Sequence, residues 1–111
     1  MDCIFCKIAN KEMPKEFLYE DDQVVAFDDI APKAPIHILI ISKKHIDSVN
    51  NLKEEDKELI GKMILVARNI AKEKDVSEAG YRLLFNTGKN AGQTVDHIHL
   101  HLIGGTKLPF A

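Results

Sequence analysis

Tryptophan is absent from this 111-residue chain, and cysteine and proline are scarce, with two and four residues. The aromatic residues are two Tyr and five Phe, scattered along the sequence, which gives little support for a protein that stacks single-stranded nucleic acid. Neither charge is in clear excess, because 15 Lys and Arg are interspersed with 17 Asp and Glu for a net charge of −2. Since duplex nucleic acid usually selects a basic stripe, we expect no nucleic-acid partner.

Long hydrophobic runs are also missing. None approaches the roughly 20 residues that cross a bilayer, and residues 1–7 lack the basic start and apolar stretch of a secretory signal. We therefore expect a cytoplasmic protein with no membrane partner. In that reducing compartment Cys3 and Cys6 are better explained as thiols or metal ligands than as a disulfide.

The chain has the length and the 45% hydrophobic content of one globular domain, residues 1–111, and no repeat or linker divides it. Apolar residues at helical spacing predict a long helix over about 53–74. Alternating or apolar runs between turn residues predict strands at 17–20, 24–28, 36–42, 82–86 and 97–103. Several strands before the helix and two after it favour an α+β fold with a mostly antiparallel sheet.

The most informative segment places three of the five histidines at alternate positions, His97-Ile98-His99-Leu100-His101-Leu102-Ile103. On a strand the three imidazoles share one face and the aliphatic residues share the other. Imidazole can act as base, nucleophile or metal ligand near neutral pH. The residues alone leave three possibilities open: a nucleophilic histidine, a hydrolytic zinc held by all three, and a solvated surface row.

Two further segments carry polar groups suited to a nucleotide. Residues 86–94, Asn-Thr-Gly-Lys-Asn-Ala-Gly-Gln-Thr, combine glycines with amide and hydroxyl groups that can surround a phosphate, although such segments are usually turns. Asp28 and Asp29 end a predicted strand, where a carboxylate can accept hydrogen bonds from two ribose hydroxyls or simply be solvated. His37 shares a strand face with Leu39 and Ile41, so it can neighbour the histidine row if the strands pair.

Together these segments resemble a known family. Residues 97–103 are similar to the signature of the histidine triad (HIT) family, and residues 2–8, 27–37, 43–45 and 86–105 look like corresponding stretches of its histidine triad nucleotide-binding (Hint) branch, in the same order. The resemblance implies a HIT-like fold, with an antiparallel sheet of about five strands, one long helix and a short N-terminal helix. It also implies a homodimer that binds purine nucleoside monophosphates and hydrolyses nucleoside phosphoramidates.

The resemblance also implies roles for individual residues. His99 is the expected nucleophile toward the α-phosphorus, His101 contacts the phosphate, His37 belongs to the supporting proton network, Thr94 supplies a hydroxyl and Asp29 binds the ribose. The expected base pocket consists of Ile4, Phe5, Ile8, Met13, Phe27, Ile30 and Leu39. The residues expected around the phosphate and leaving group are Asn86, Gly92, Gln93, Thr94 and Val95.

Zinc-carrying relatives in this family imply a different role for His97. They use two cysteines and two histidines that correspond here to Cys3, Cys6, His45 and His97. Such a set fits a closed, tetrahedral structural zinc site, which leaves His99 free to react, so no metal is needed for the chemical step.

Some positions depart from the pattern of the family. Thr94 replaces a frequent Ser, Asp28 replaces a His of animal relatives, and Phe110 stands where some relatives carry a Trp near the partner subunit's site. The alternatives to a phosphoramidase are a nucleotide-binding or regulatory module without turnover, a three-histidine zinc hydrolase, and a dinucleoside polyphosphate hydrolase. His101 counts against the last of these, because members of that branch tend to carry Gln there.

Overall fold

A computed structural model describes residues 3–109. Within these residues two α-helices and five strands follow one another: α1 (Ile4–Ala9), β1 (Tyr19–Glu20), β2 (Val24–Asp28), β3 (Ile36–Ser42), α2 (Lys57–Glu73), β4 (Tyr81–Leu84) and β5 (His99–Gly104). None of the helices in the described part of the chain is long and apolar enough to cross a membrane.

The five strands form one antiparallel sheet in the order β1-β2-β3-β5-β4, which confirms the predicted α+β fold. The predicted boundaries of β2 and β3 match the structure, whereas β1 and β4 are shorter than predicted. β5 was expected to begin at His97 but begins at His99, because the Ile98 amide donates to the Ile46 carbonyl (2.7 Å) and not to a neighbouring strand.

One face of the sheet packs against α2 and forms the larger core. Ile38 and Ile40 of β3 and Leu100 and Leu102 of β5 are almost fully buried beneath the apolar side of α2. Burial of each such side chain stabilises the fold by about 1.5–3 kcal/mol. The helix itself begins at Lys57, later than predicted, because residues 54–56 form a 3₁₀ turn.

The opposite face carries α1 and the histidines. Phe27, Leu39 and Ile41 of the strands pack with Phe5 and Ile8 of α1. The register places Leu39 opposite His101 and Ile41 opposite His99, so the imidazoles of β5 occupy positions on this same apolar face. The aliphatic residues between them are left for the α2 core. The strand alternation thus separates the packing face from the chemical face, as the sequence predicted.

Candidate active site and metal cluster

A cavity of about 460 Å³ opens between α1, the segment after it and the histidine face of the sheet. Every residue predicted for the base pocket lines this cavity, as do Asp29, Thr94, Val95, His99 and His101. Three residues that the sequence analysis missed, Pro14, Lys15 and Ala31, also line it. The walls are therefore mostly apolar, and the polar groups are few.

One ring nitrogen of His99 forms a hydrogen bond with the backbone, and the other forms none with residues 3–109. Its side chain is buried, at 6% exposure, with the Phe5 ring edge-on at 5.1 Å between centroids. Nδ1 lies 2.7 Å from the His97 carbonyl oxygen. Because a carbonyl only accepts, Nδ1 carries the proton, and Nε2 of the neutral ring keeps its lone pair. Since His99 lines the cavity, the structure offers a nucleophilic nitrogen there.

His37 and His101 are linked in a series of hydrogen bonds, and a backbone amide decides which nitrogen of each ring carries the proton. The Lys33 N–H donates to Nδ1 of His37 at 2.9 Å, so the neutral His37 ring carries its proton on Nε2. That Nε2–H donates to Nδ1 of His101, also at 2.9 Å. The proton of His101 is then on Nε2, a buried atom with no hydrogen-bond partner among residues 3–109. The His99 and His101 rings lie 4.9 Å apart between centroids, and a buried N–H without an acceptor favours an anionic ligand there.

Burial keeps the imidazoles of His37 and His101 uncharged near neutral pH. Desolvation lowers the pKa of His37 below its usual value, against the opposing pull of the Asp29 carboxylate. Desolvation, followed by the neighbouring His99 and His37, lowers the pKa of His101 to about 4. Asp29 accepts a hydrogen bond from the Ala31 amide through Oδ1 (2.8 Å), and its Oδ2 lies 3.4 Å from Nε2 of His37. The carboxylate therefore links the cavity to the histidine chain.

A second cluster lies at the other end of the histidine row. Its members, Cys3, Cys6, His45 and His97, place their ligand atoms within 4.8 Å of one another. Nδ1 of His97 is 3.3 Å from Sγ of Cys3 and 3.5 Å from Sγ of Cys6, and Nδ1 of His45 is 3.2 Å from Sγ of Cys6. All four predicted metal ligands are thus brought together from three separate segments.

The imidazoles of this cluster point their lone pairs inward. Nε2 of His97 donates to the Ser42 carbonyl and Nε2 of His45 donates to Asp47, both at 2.7 Å, which leaves each Nδ1 unprotonated. Desolvation lowers the pKa of His97 to about 4. Burial and the adjacent Cys3 raise the pKa of the Cys6 thiol to about 11. The two imidazoles thus offer unprotonated nitrogens to a cation, and a bound cation would displace the thiol protons of the cysteines.

The donor set fits zinc. A tetrahedral ion with Zn–S near 2.3 Å and Zn–N near 2.0 Å needs a sulfur and a nitrogen ligand about 3.5 Å apart. The three separations between Sγ and Nδ1 atoms given above are 3.2, 3.3 and 3.5 Å, so an ion fits with small adjustments of the side chains. Outer hydrogen bonds from the ligating imidazoles, as those to Ser42 and Asp47 here, are typical of zinc sites.

Asp29, His37 and His101 also lie within ligand distance of one another, but their protons argue against a metal. The Lys33 N–H occupies the Nδ1 lone pair of His37, so its Nε2 carries a proton. A cation between these side chains would meet that N–H and not a lone pair.

Comparison with known proteins agrees with this geometry. Residues 2–109 match the family model described as "Scavenger mRNA decapping enzyme C-term binding". The chain is 48% identical over 107 residues to the purine nucleoside phosphoramidase of Escherichia coli, covering 96% of this chain and 90% of that protein. The chain belongs to the histidine triad (HIT) family.

Solved structures of HIT proteins share the fold. A HIT family hydrolase from Legionella pneumophila superposes with a TM-score of 0.96 at 46% identity, over 98% of this chain and 97% of that one. A histidine triad protein from Clostridium difficile gives 0.95 at 46% identity, over 100% and 96%. The predicted HIT fold is therefore confirmed.

Some residues predicted at the phosphate do not line the cavity. The side chain of Gln93 accepts from the Gly88 amide and donates to the Asp47 and Val95 carbonyls, so its hydrogen-bonding groups hold the loop together. Asn86 and Gly92 also lie outside the cavity lining. Their contact with a phosphate stays a prediction, and Phe110 lies outside the described residues.

The remaining groups that sequence reasoning missed are of two kinds. Asp47 follows His45 by two residues, a spacing that could have indicated a carboxylate partner for a metal-ligating imidazole. The Lys33 amide gives no such signal, because a backbone N–H is present in every residue except proline.

Proposed function

We propose that this HIT protein is a purine nucleoside phosphoramidase, which hydrolyses adenosine 5′-phosphoramidates of the AMP-NH2 and AMP-lysine type through a histidine–nucleotidyl intermediate. The observation that carries the proposal is the pairing of a lone pair on His99 Nε2 with an unsatisfied N–H on His101, both in the lining of one apolar cavity. The nearly full-length E. coli relative, a purine nucleoside phosphoramidase, supports it.

Different residues of the cavity suit the base, the ribose and the phosphate of a nucleoside monophosphate. The apolar walls, including Phe5, Phe27 and Leu39, take the base. The Asp29 carboxylate accepts the ribose hydroxyls, because each of its oxygens can accept a further hydrogen bond. The α-phosphate lies against the histidines, where the His101 N–H donates to a non-bridging oxygen.

The first step forms one bond and breaks one. Nε2 of His99 attacks the α-phosphorus, and the electron pair of the P–N bond leaves with the amine, which takes up a proton. The positive charge that develops on the His99 ring is stabilised by the His97 carbonyl, which already accepts its Nδ1–H. Thr94 lines the cavity with its neighbour Val95, and we assign its hydroxyl to the relay of a proton from solvent water to the leaving amine.

The second step releases the nucleotide. Water attacks phosphorus, the P–Nε2 bond breaks, and its electron pair returns to His99. The proton of the attacking water passes to solvent, which replaces the proton that the amine took up in the first step. His37 acts through His101: it holds the proton of His101 on the nitrogen that faces the phosphate. None of these steps requires a metal ion.

We further propose that Cys3, Cys6, His45 and His97 hold a structural zinc ion. Three segments of the chain meet at this cluster, and the ion would fix α1, which forms one wall of the cavity, against the start of β5. Reduced cysteines of this kind fit a protein of the cytoplasm.

We also propose a homodimer. β4 is an edge strand with half-buried side chains, and α2 exposes Ile64 at 42% and Leu65 at 49%. An open strand edge and exposed apolar side chains are suited to a second copy of the chain. Sedimentation of the purified protein at the mass of a monomer would contradict this.

The first experiment measures AMP release from adenosine 5′-phosphoramidate by the wild type and by His99→Gly, each with and without chelator. We expect turnover that survives brief chelation and falls at least about a thousandfold in the variant. Unchanged melting and metal content of His99→Gly show that it is folded. Absence of turnover in the folded wild type would leave a nucleotide-binding module, and its loss on chelation without unfolding would indicate metal chemistry.

A further inference from the structure

One cationic side chain that lines the cavity has no role in the proposed hydrolysis. Lys15 is the single Lys or Arg among the described residues that line it. The side chain is half-buried, and Nζ lies 5.1 Å from the centroid of the Phe27 ring. No carboxylate of residues 3–109 forms an ion pair with it. Lys15 also lines a neighbouring recess together with Glu16 and Asp28, and both of these carboxylates are exposed to solvent. Contact with an aromatic face offsets only part of the cost of partial burial of an ammonium group, which favours an acceptor on the ligand.

The sheet register places this cation at the base end of the cavity. Phe27 lies opposite Leu39 on the next strand, and Leu39 lies opposite His101 on the one after. Neighbouring strands are about 4.8 Å apart, so the Phe27 and His101 backbones are separated by about 10 Å. Lys15 belongs to the segment that leads into β1, the strand beyond β2 from the histidines, and its Nζ lies over the Phe27 ring of β2. A nucleotide with its phosphate on His101 therefore extends its base toward Lys15.

An ammonium group has three donors and no acceptor, so it distinguishes between purines. Guanine presents two adjacent acceptors, O6 and N7, whereas adenine presents N7 beside a donor, the 6-amino group. We propose that Lys15 selects 6-oxopurine nucleotides by donating to O6 and N7 of the base, an inference that rests on the proposed phosphoramidase function. The apolar walls accept any purine, and Lys15 supplies the discrimination at its edge.

The test compares kcat/KM for the 5′-phosphoramidates of guanosine, inosine and adenosine. Inosine carries O6 without the 2-amino group of guanosine, so it isolates the contact in question. We expect the wild type to prefer guanosine and inosine alike over adenosine by about tenfold, since a hydrogen bond from a charged group is worth at least that. Lys15→Met should abolish the preference, and Lys15→Glu should invert it, because a carboxylate accepts from the 6-amino group.

Lys72→Met serves as the matched control, because Lys72 is exposed on the last turn of α2 and should leave the ratio unchanged. Equal wild-type values for inosine and adenosine, a preference for guanosine alone, or an unaltered ratio in Lys15→Met would overturn the proposal. Calorimetric affinities for GMP, IMP and AMP give the same comparison without chemistry. If turnover is absent but wild-type binding shows the Lys15-dependent preference, the phosphoramidase function fails and the base selection stands.

Discussion

The two ends of the histidine row use the same side chain for opposite purposes. At the Cys3 end, His45 and His97 give their Nε2 protons to oxygen acceptors and turn Nδ1 lone pairs toward two sulfur atoms. At the other end, a chain of hydrogen bonds finishes with an unsatisfied N–H on His101. The first arrangement attracts a cation and the second attracts an anion.

The difference lies in the partner of each ring and not in the residue type. A carbonyl or carboxylate that accepts from one nitrogen frees the other as a lone pair, as at His97 and His99. A backbone amide that donates to one nitrogen has the reverse effect, as at His37. Two positions apart on a strand, His99 and His101 thus differ in what they offer the cavity, a lone pair on His99 and an N–H on His101.

After the loss expected for His99→Gly, the largest effect is expected from removing the N–H donor of His101. His101→Phe keeps the ring shape but deletes the N–H, and we expect kcat/KM to fall by about 10²–10³, the usual loss for one donor to a reacting oxyanion. His101→Gln retains an amide N–H and should recover part of that loss. Metal content, measured by atomic absorption, should match the wild type in both. A His101→Phe enzyme as active as the wild type would contradict the assignment.

Breaking the other end should lower stability more than catalysis. Cys6→Ser is expected to lose the bound metal and to lower Tm by about 10 °C, since a ligand bound only to the folded state stabilises it. Turnover by the protein that remains folded below its Tm should stay within about tenfold of the wild type. Calorimetry and initial rates measure the two quantities. A rate loss equal to that of His99→Gly, with Tm unchanged, would place the metal in the chemistry.

A finer test weakens the metal cluster through its outer hydrogen bond. Asp47→Ala removes the acceptor of the His45 Nε2–H, and we expect metal affinity to fall about tenfold with turnover unchanged. Asp96→Ala is the control, because Asp96 is an exposed carboxylate of the same polar recess that does not bond to His45. Competition with a chromophoric chelator measures both. Equal affinities in the two variants would remove Asp47 from the site.

The smallest effect concerns pH. His101 titrates at about 4 in the fold and near 6.5 when unfolded, so between these values the unfolded chain binds the extra proton. Its contribution to stability is complete above pH 6.5 and is lost as the pH falls toward 4. The unfolding free energies of the wild type and of His101→Phe are compared at pH 7.5 and at pH 5. The titration of the Cys3, Cys6, His45 and His97 cluster is common to both proteins and drops out of the comparison. We expect the wild type to lose about 1 kcal/mol more unfolding free energy, allowing for solvent screening. Parallel losses would contradict the lowered pKa.

The sequence predicted the strands, the long helix and the histidine face of the sheet better than it predicted which imidazole nitrogens carry protons. Alternation of apolar and polar residues is a local property, so β2, β3 and the shared face of His99 and His101 could be read from it. The start of β5 could not, because the amide before it pairs with Ile46, far away in the chain. Which nitrogen of each imidazole is protonated depends on tertiary contacts with carbonyl and amide groups, and these leave no mark in residue identity.

The amide of Lys33 has a consequence for how this site can be studied. The direction of the proton chain starts at a group that the residue at position 33 contributes whatever its side chain. Alanine scanning would leave it intact and report the turn as tolerant, and a survey of variants would find no preferred side chain there. Only a proline removes the amide hydrogen. The orientation of His101 therefore requires only that position 33 is not proline, and any other residue there supplies the amide.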